Sequence, residues 1–526
     1  MKKVLICDAI SGRGTAVLKE AGLIVDEKIK LSEEAIVDII EDYEAVMVRS
    51  ATKITRPIIE AGKNLKVIGR AGVGVDNIDV QAATARGIVV VNSPEGNTIA
   101  AAEHTIAMML ALARNIPPAH GLLVNGVWEK KKFMGVEVRG KTLGVIGLGK
   151  IGGEVARRGR GLDMDVIGYD PVVSPERAKK LGVRLVGFDE LISQADFITV
   201  HVPKTKETIG MIGARQFDMM KPGARVINVA RGGIIDEGQL VAAVKERKIG
   251  GAAIDVFVKE PVTESPLFGV DGIIVTPHLG ASTEEAQENV AVDVAQEIVR
   301  ALSGETVRNA VNIPSIKKEH MDLMGPYLCL VEKLGRMLAQ MADDNIKSVN
   351  INYNGPFAAY DCSPLTNTLL KGLLRPSMQE SVNYVNAPLM AQAQGIKVSE
   401  CRSVELEDYA SLVSVVLKTE KSDHSLAGTL FQNKEARIVR IDGYTVDANP
   451  QGHMLVIPHV DKPRIIGRVG TLIGENDINI AGMIVGRKVL GGRAIALLQV
   501  DAEVPKEILE EIGKIDGVID VKYVYL

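Results

Sequence analysis

Cysteine is scarce. Cys7, Cys329, Cys362 and Cys401 are scattered through 526 residues, with no CxxC pair. This spacing argues against a disulfide scaffold and a structural zinc site, so no metal is expected, and it fits a reducing compartment. Aromatics are also scarce at 4%, whereas glycine reaches 52. That combination suits packed α/β layers with tight turns, not a disordered chain. Charge excess is lacking: 62 Lys+Arg against 66 Asp+Glu leave a net −4. No basic stripe stands out, so nucleic acid is not an expected partner. No run of about 18 apolar residues occurs, so a membrane is not expected either. The opening run from Met1 to Cys7 stops at Asp8, too early for a signal-peptide core. It reads as a first buried strand, and the chain as a soluble cytoplasmic protein.

The length of 526 residues implies three or four domains at about 100–200 residues each. Short apolar runs at Lys3–Cys7, Ala45–Val48, Lys66–Ile68 and Ile88–Val91 alternate with helical stretches at Ser32–Glu41 and Thr55–Ala61. That rhythm predicts a parallel sheet covered by helices. Gly12-Arg13-Gly14 reads only as a turn. Thr98–Arg114 reads as a buried helix, with Asn97 and Thr98 as N-cap candidates. Six further strands, Thr142–Ile146, Asp165–Tyr169, Phe197–Val200, Arg225–Val229, Ala252–Val256 and Ile273–Thr276, are what a doubly wound nucleotide-binding domain needs. A helix at Thr283–Ser303 and a linker at Asn309–Lys318 precede a mixed segment, 319–452. The tail from His453 to Leu526 reads strand, helix, strand, strand, helix, strand, a ferredoxin-like plan.

The strand at Thr142–Ile146 runs into Gly147-Leu148-Gly149-Lys150-Ile151-Gly152. Glycines at this spacing permit the turn, the approach of a pyrophosphate and close helix packing. The helix N-terminus then offers N–H groups to phosphate. Asp170 ends the next strand, where a carboxylate accepts from ribose hydroxyls and repels a 2′-phosphate, favouring NAD over NADP. Gly69-Arg70-Ala71-Gly72-Val73-Gly74 is either an anion-holding substrate loop or a tight turn.

Arg231, Glu260 and His278 each follow a strand of the nucleotide domain, where ligands bind. Hydride removal from a secondary alcohol needs a base for the hydroxyl proton, and histidine titrates in range. A carboxylate orients the imidazole, and a guanidinium grips an α-hydroxy carboxylate. Alone, each residue has a surface or structural reading; together they point to catalysis. His201 also follows a strand and either lines the cleft or takes part in chemistry.

Gly147–Gly152, Asn228-Val229-Ala230-Arg231-Gly232-Gly233, Asp255-Val256-Phe257 with Glu260-Pro261, and Thr276-Pro277-His278-Leu279-Gly280 resemble the D-isomer-specific 2-hydroxyacid dehydrogenases. The resemblance covers nearly the whole chain. It implies a flavodoxin-like substrate domain (1–97 and 284–316) interrupted by a Rossmann domain (98–283). An intervening α/β domain (317–452) and a ferredoxin-like ACT domain (453–526) then follow. It implies NAD-dependent oxidation of 3-phospho-D-glycerate to 3-phosphooxypyruvate at the entry to serine synthesis. His278 would be the acid/base, Glu260 its partner and Arg231 the carboxylate binder. Gly147, Gly149, Lys150, Ile151, Gly152, Asp170, Val202, Val229, Ala230 and His278 through Leu279, Gly280 and Ala281 would border NAD, with Val73 nearby. Asp255 would meet the nicotinamide amide. Arg49, Ser50, Arg70, Val73, Gly74, Asn97, Arg231 and His278 would hold substrate. Lys53 is a further cation candidate, and Lys130-Lys131-Lys132 would either reach in from a neighbouring protomer or remain solvated.

The tail resembles a serine-sensing module, with His459, Asp461 and Asn479 as effector residues; the other reading is that it only dimerises. Arg464 follows Pro463 where the family usually has glycine. The expected assembly is a homo-oligomer, dimer or tetramer. Two alternatives stay open: a reductase for glyoxylate or hydroxypyruvate, and an NAD-sensing corepressor-like scaffold.

Overall fold

The computed structural model describes residues 1–526 apart from positions 306, 315, 317, 379, 380, 406, 407 and 433. Its first sheet is all parallel, in the order β2-β1-β3-β4-β5. The strands are β1 (Lys3–Ile6), β2 (Ile24–Glu27), β3 (Ala45–Val48), β4 (Val67–Arg70) and β5 (Val89–Asn92). Successive side chains point to opposite faces. Val4, Ile6, Ala45 and Met47 therefore enter one core and Leu5, Cys7, Val46 and Val48 the other. Covered faces on both sides explain why these strands are apolar runs without alternation.

The distant helix Glu284–Ser303 returns to this sheet through Val290, Val294 and Ile298. Thr283 caps it by accepting from Ala286 N at 3.1 Å. Gly12-Arg13-Gly14 corrects the turn expectation. It opens the helix Gly12–Glu20, and a Cβ at Gly14 would stand 2.8 Å from Ala291 Cβ. Gly14 permits close helix contact, a tertiary demand invisible in local sequence, whereas Gly12 faces open space. β2 escaped notice because Ile-Val-Asp-Glu is short and half polar.

The second sheet, also parallel, has the order β12-β11-β10-β9-β6-β7-β8. It comprises β6 (Thr142–Ile146), β7 (Asp165–Tyr169), β8 (Arg184–Leu185), β9 (Phe197–Val200), β10 (Arg225–Asn228), β11 (Gly251–Ile254) and β12 (Ile273–Val275). The strand order reverses between β6 and β9, which opens a crevice at the carboxyl ends. The two-residue β8 is too short to show a period. The helix Thr98–Ala113 packs Met108, Met109 and Leu112 into this domain. Asn97 occupies its cap position without making a side-chain capping bond. Asn97 Oδ1 and Thr98 Oγ1 are instead buried without a partner.

The third sheet is mixed, in the order β14-β13-β15-β16-β17-β18. Its strands are β13 (Ile346–Asn354), β14 (Lys397–Ser403), β15 (Leu412–Thr419), β16 (Asp423–Phe431), β17 (Glu435–Ile441) and β18 (Tyr444–Ala448). Helices Met321–Met341 and Ser363–Met378 contribute to its core.

The last sheet is antiparallel, in the order β20-β21-β19-β22. It holds β19 (His453–Val460), β20 (Ile480–Arg487), β21 (Arg493–Val500) and β22 (Lys522–Tyr525). One face packs on Val469, Ile473, Ile508 and Ile512 of its own two helices. Met454, Val456, Ile495 and Leu497 on the other face join the core of the Met321–Met341 helix. The tail and the third sheet thus share one apolar core. Asn383 links that half to the first domain by donating to Gly87 O at 2.7 Å, and Val385 enters the first domain's core. Among the described residues, no helix is long and apolar enough to cross a membrane.

Candidate active site

The glycine loop turns at the end of β6, where Gly147 has φ +91°. A Cβ at Gly152 would stand 1.9 Å from Gly147 O, so the helix Lys150–Gly161 starts hard against the strand. Gly149 sits at its N-cap position facing open space. The N–H groups of a helix start, with no side chain over them, form an anion cradle. Asp170 follows β7. Its Oδ2 accepts from Leu148 N at 2.8 Å, and its Oδ1 from Val172 N at 2.9 Å and Val173 N at 3.1 Å. A cradle beside a carboxylate at this crevice fits a dinucleotide.

Val202 and Ile151 are half-buried at the loop, and Lys150 turns to Glu95 across the domains, Nζ to Oε1 at 2.5 Å. His201 donates its backbone N–H to Ile146 O at 2.7 Å and pairs its Nε2 with Thr199 Oγ1 at 2.9 Å. Its edge is partly accessible, yet desolvation pushes its pKa down to about 4. This describes a neutral structural imidazole behind the loop.

His278 stands just past β12 at φ +55°, an uncommon conformation for a non-glycine residue. Its Nδ1 meets Glu260 Oε2 at 2.6 Å, and Glu260 Oε1 accepts from Phe257 N at 2.9 Å. Burial alone would raise the Glu260 pKa, but these hydrogen bonds outweigh it and lower it. Asp255 lies fully buried beneath the turn. Oδ1 accepts from Leu279 N at 2.8 Å and from Thr276 Oγ1 at 2.6 Å; Oδ2 accepts from Gly280 N at 2.9 Å. Oδ1 also meets His104 Nε2 at 3.2 Å. Desolvation raises its pKa, and the hydrogen bonds from His104 and Thr276 more than reverse this. These contacts hold the His278 turn from below. Val229 is buried and would be 3.0 Å from a Cβ at Gly280.

Arg231 follows β10 on a turn tied by Asn228. Asn228 Oδ1 accepts from Ala230 N, and its Nδ2 donates to Arg231 O, both at 3.0 Å. Arg231 Nη1 donates to Ala230 O at 2.7 Å, and Nε reaches Asp76 Oδ2 at 3.3 Å on the opposite domain.

Between the domains lies a cavity of about 460 Å³ whose lining includes Arg49, Ser50, Arg70, Glu260, His278 and Ala281. Burial lowers the Arg70 pKa to about 10, and the charges of Arg231 and Arg49 act the same way. Arg70 Nε is buried with no partner. Clustered cations with an unmet donor are suited to an anion. Gly72, at φ +150°, leaves room for Arg70, since a Cβ would stand 1.4 Å from Arg70 Nη1.

Arg231, Val73, Gly74, Asn97, Lys53 and Lys131 are not on this lining. Val73 O accepts from Asn92 Nδ2 at 2.5 Å, and Gly74 abuts Arg231. Lys53 is exposed, and Lys131 lies exposed in the short helix Lys130–Phe133. Within this chain, Lys131 is a surface group.

Sequence reasoning passed over His104, Asp76 and Asp8. Asp8 is buried and shapes the Arg49 loop, accepting from Arg49 N at 2.6 Å and Thr52 Oγ1 at 2.7 Å. Histidine on an Ala- and Met-rich helix was the available signal for His104. Asp76 stood unread just beyond the Gly69–Gly74 loop.

In the tail, His459 is buried with Nδ1 3.0 Å from Ile457 O. Asp461 Oδ2 is 3.4 Å from Arg487 Nη1 and accepts from Gly491 N at 3.2 Å. Asn479 Nδ2 donates to Asp501 Oδ2 at 2.7 Å. His459 is in register with Ala494, whereas Ile480, beside Asn479, is in register with Val500. At about 3.3 Å per residue these rows lie about 20 Å apart, so one chain does not unite the three. Arg464 has φ +77°, the left-handed region that favours glycine.

Residues 106–280 match the profile for the D-isomer specific 2-hydroxyacid dehydrogenase NAD-binding domain. Residues 323–442 match the D-3-phosphoglycerate dehydrogenase intervening domain, and 453–517 the ACT domain. The chain is 50% identical to D-3-phosphoglycerate dehydrogenase of Archaeoglobus fulgidus over 100% of both chains. It is 50% identical to that of Synechocystis, over 100% of this chain and 95% of the relative. Among solved structures, the apo-structure of D-lactate dehydrogenase from Escherichia coli superposes with TM-score 0.53 at 29% identity. That match covers 59% of this chain and 100% of the other. A glyoxylate reductase from Paecilomyes thermophila gives TM-score 0.54 at 29% identity, over 59% and 98%.

Proposed function

The chain belongs to the D-3-phosphoglycerate dehydrogenases of the D-isomer-specific 2-hydroxyacid dehydrogenase family, and on that premise we propose that it oxidises 3-phospho-D-glycerate to 3-phosphooxypyruvate as the entry to L-serine synthesis. The carrying observation is the pairing of His278 with Glu260 at 2.6 Å on the wall of a cavity that Arg49 and Arg70 also line. Because Nδ1 faces Glu260, Nε2 is the ring nitrogen left to take the hydroxyl proton of the substrate. Glu260 stabilises the resulting imidazolium. Arg231 grips the carboxylate, and Arg49 and Arg70 supply charge for the phosphate. NAD, when bound, accepts the hydride released from C2. The four-part division at 97/98, 283/284, 316/317 and 452/453 is kept in this reading, supported by the sheets described above.

L-Serine is the proposed effector, bound where two copies bring Asn479 of one chain toward His459 and Asp461 of the other. A homo-oligomer, dimer or tetramer, is further supported by the helix Ile116–Val124, which buries no residue and exposes Ile116, Leu123 and Val124. Trp128 beside it is 81% exposed, and the neighbouring Lys131 is then available to a partner's site. The free thiols of Cys7, Cys329, Cys362 and Cys401 support a cytoplasmic setting.

The test is initial-rate kinetics of the full chain on 3-phospho-D-glycerate with NAD and NADP, with and without serine. Turnover with NAD, reduced by serine, is expected. Preference for glyoxylate or hydroxypyruvate would replace the substrate reading. Unaffected rates in serine would remove the effector reading.

A further inference from the structure

Arg231 and Asp76 face each other across the interdomain cleft, Nε to Oδ2 at 3.3 Å. A guanidinium grips a carboxylate best along one edge, through two parallel N–H groups. Nη1 of Arg231 already donates to Ala230 O at 2.7 Å. The edge left for a substrate carboxylate is Nε with Nη2, and Asp76 holds its Nε. Gly74 leaves room beside Nη2, where a Cβ would stand only 2.0 Å away. The Asp76 side chain is 71% exposed, against 30% for Arg231. The carboxylate can swing into water, while the guanidinium is tied to its turn.

We propose that Asp76 is a placeholder carboxylate that occupies the Arg231 edge until the substrate's own carboxylate displaces it. This rests on the functional reading above. Asp76 also offsets the like charges of Arg231 and Arg49 that act on Arg70. Displacement adds one fixed cost to the binding of any α-hydroxy carboxylate. An acid with a second anionic group recruits Arg49 and Arg70 and offsets that cost. An acid with a carboxylate alone bears it unaided. Asp76 thus opposes binding and is not a support for it.

The test is steady-state kinetics of full-length Asp76→Asn at saturating NAD, on 3-phospho-D-glycerate and on D-glycerate, which lacks the phosphate. Asparagine keeps an acceptor for Arg231 Nε and removes the charge. The expected result is a KM for 3-phospho-D-glycerate about two- to fivefold lower, the scale of an exposed ion pair, with kcat within about twofold. The kcat/KM for D-glycerate rises by a similar factor, because the same contact is broken by either acid. A KM that holds or rises, or a kcat that falls with KM, assigns Asp76 to support and overturns the proposal, as does a D-glycerate rate that gains nothing. If the unmodified chain fails to oxidise 3-phospho-D-glycerate, the functional reading falls and the placeholder with it. If it succeeds and the variant's KM does not fall, the placeholder alone is lost.

Discussion

His278 Nδ1 lies 2.6 Å from Glu260 Oε2, although the two residues stand on loops after different strands of the nucleotide sheet. The contact leaves Nε2 free of that carboxylate and ties the imidazole to a side chain that Phe257 N also holds, at 2.9 Å. Orientation and charge at the imidazole are thus set by one side chain. Glu260→Gln keeps the shape and removes the charge. Its kcat is expected to fall by about 10²-fold, the lower end for loss of acid–base assistance. His278→Ala is expected to abolish NADH formation. Fluorescence titration with NADH should show cofactor binding nearly unchanged in both; undiminished turnover in either variant would refute the assigned role.

His201 is neutral in the fold, with its pKa pushed down to about 4 from an ordinary 6.5 by burial. The unfolded chain therefore binds more protons between those values. Stability is full above pH 6.5 and is lost as pH falls toward 4, on the order of 3 kcal/mol for this group. Urea midpoints measured from pH 7 to 4 should fall more steeply for the native chain than for His201→Gln. Parallel curves would contradict the burial argument.

Asp170 follows β7 with both carboxylate oxygens on backbone N–H groups, and in the proposed reading it meets the ribose of NAD. Asp170→Ala removes a charged acceptor worth about 1.5–3 kcal/mol. The expected result is a roughly 10- to 100-fold loss in kcat/KM for NAD and a relative gain for NADP. An unchanged ratio between the two cofactors would remove Asp170 from discrimination.

Arg464 adopts φ +77° at the start of the helix Ile465–Glu475. Left-handed backbone costs an L-residue about 1–2 kcal/mol relative to glycine, partly offset by glycine's greater freedom when unfolded. Arg464→Gly should raise the stability of the tail by about 1 kcal/mol in denaturant titration. A loss would mean that the Arg464 side chain makes a stabilising contact larger than this strain.

Much of the candidate site was legible because its residues sit at strand ends. Gly147–Gly152, Asp170, Arg231, Glu260 and His278 each follow an apolar run, and a parallel sheet delivers such positions to one crevice. The contacts that tune them were not legible. His104 reaches Asp255 from 151 residues away, and Arg231 reaches Asp76 from 155.

By itself, the sequence determined most of the apolar strands of the two parallel sheets and the glycine loop after β6, because side-chain period and glycine spacing are local properties. Only the tertiary structure decided that Gly14 packs against Ala291, that Asp255 braces the His278 turn, and that the tail shares a core with the Met321–Met341 helix. It likewise separated Asn479 from His459 along the sheet. These outcomes depend on which faces pack together, a choice made by burial across the whole chain and written in no single stretch of it.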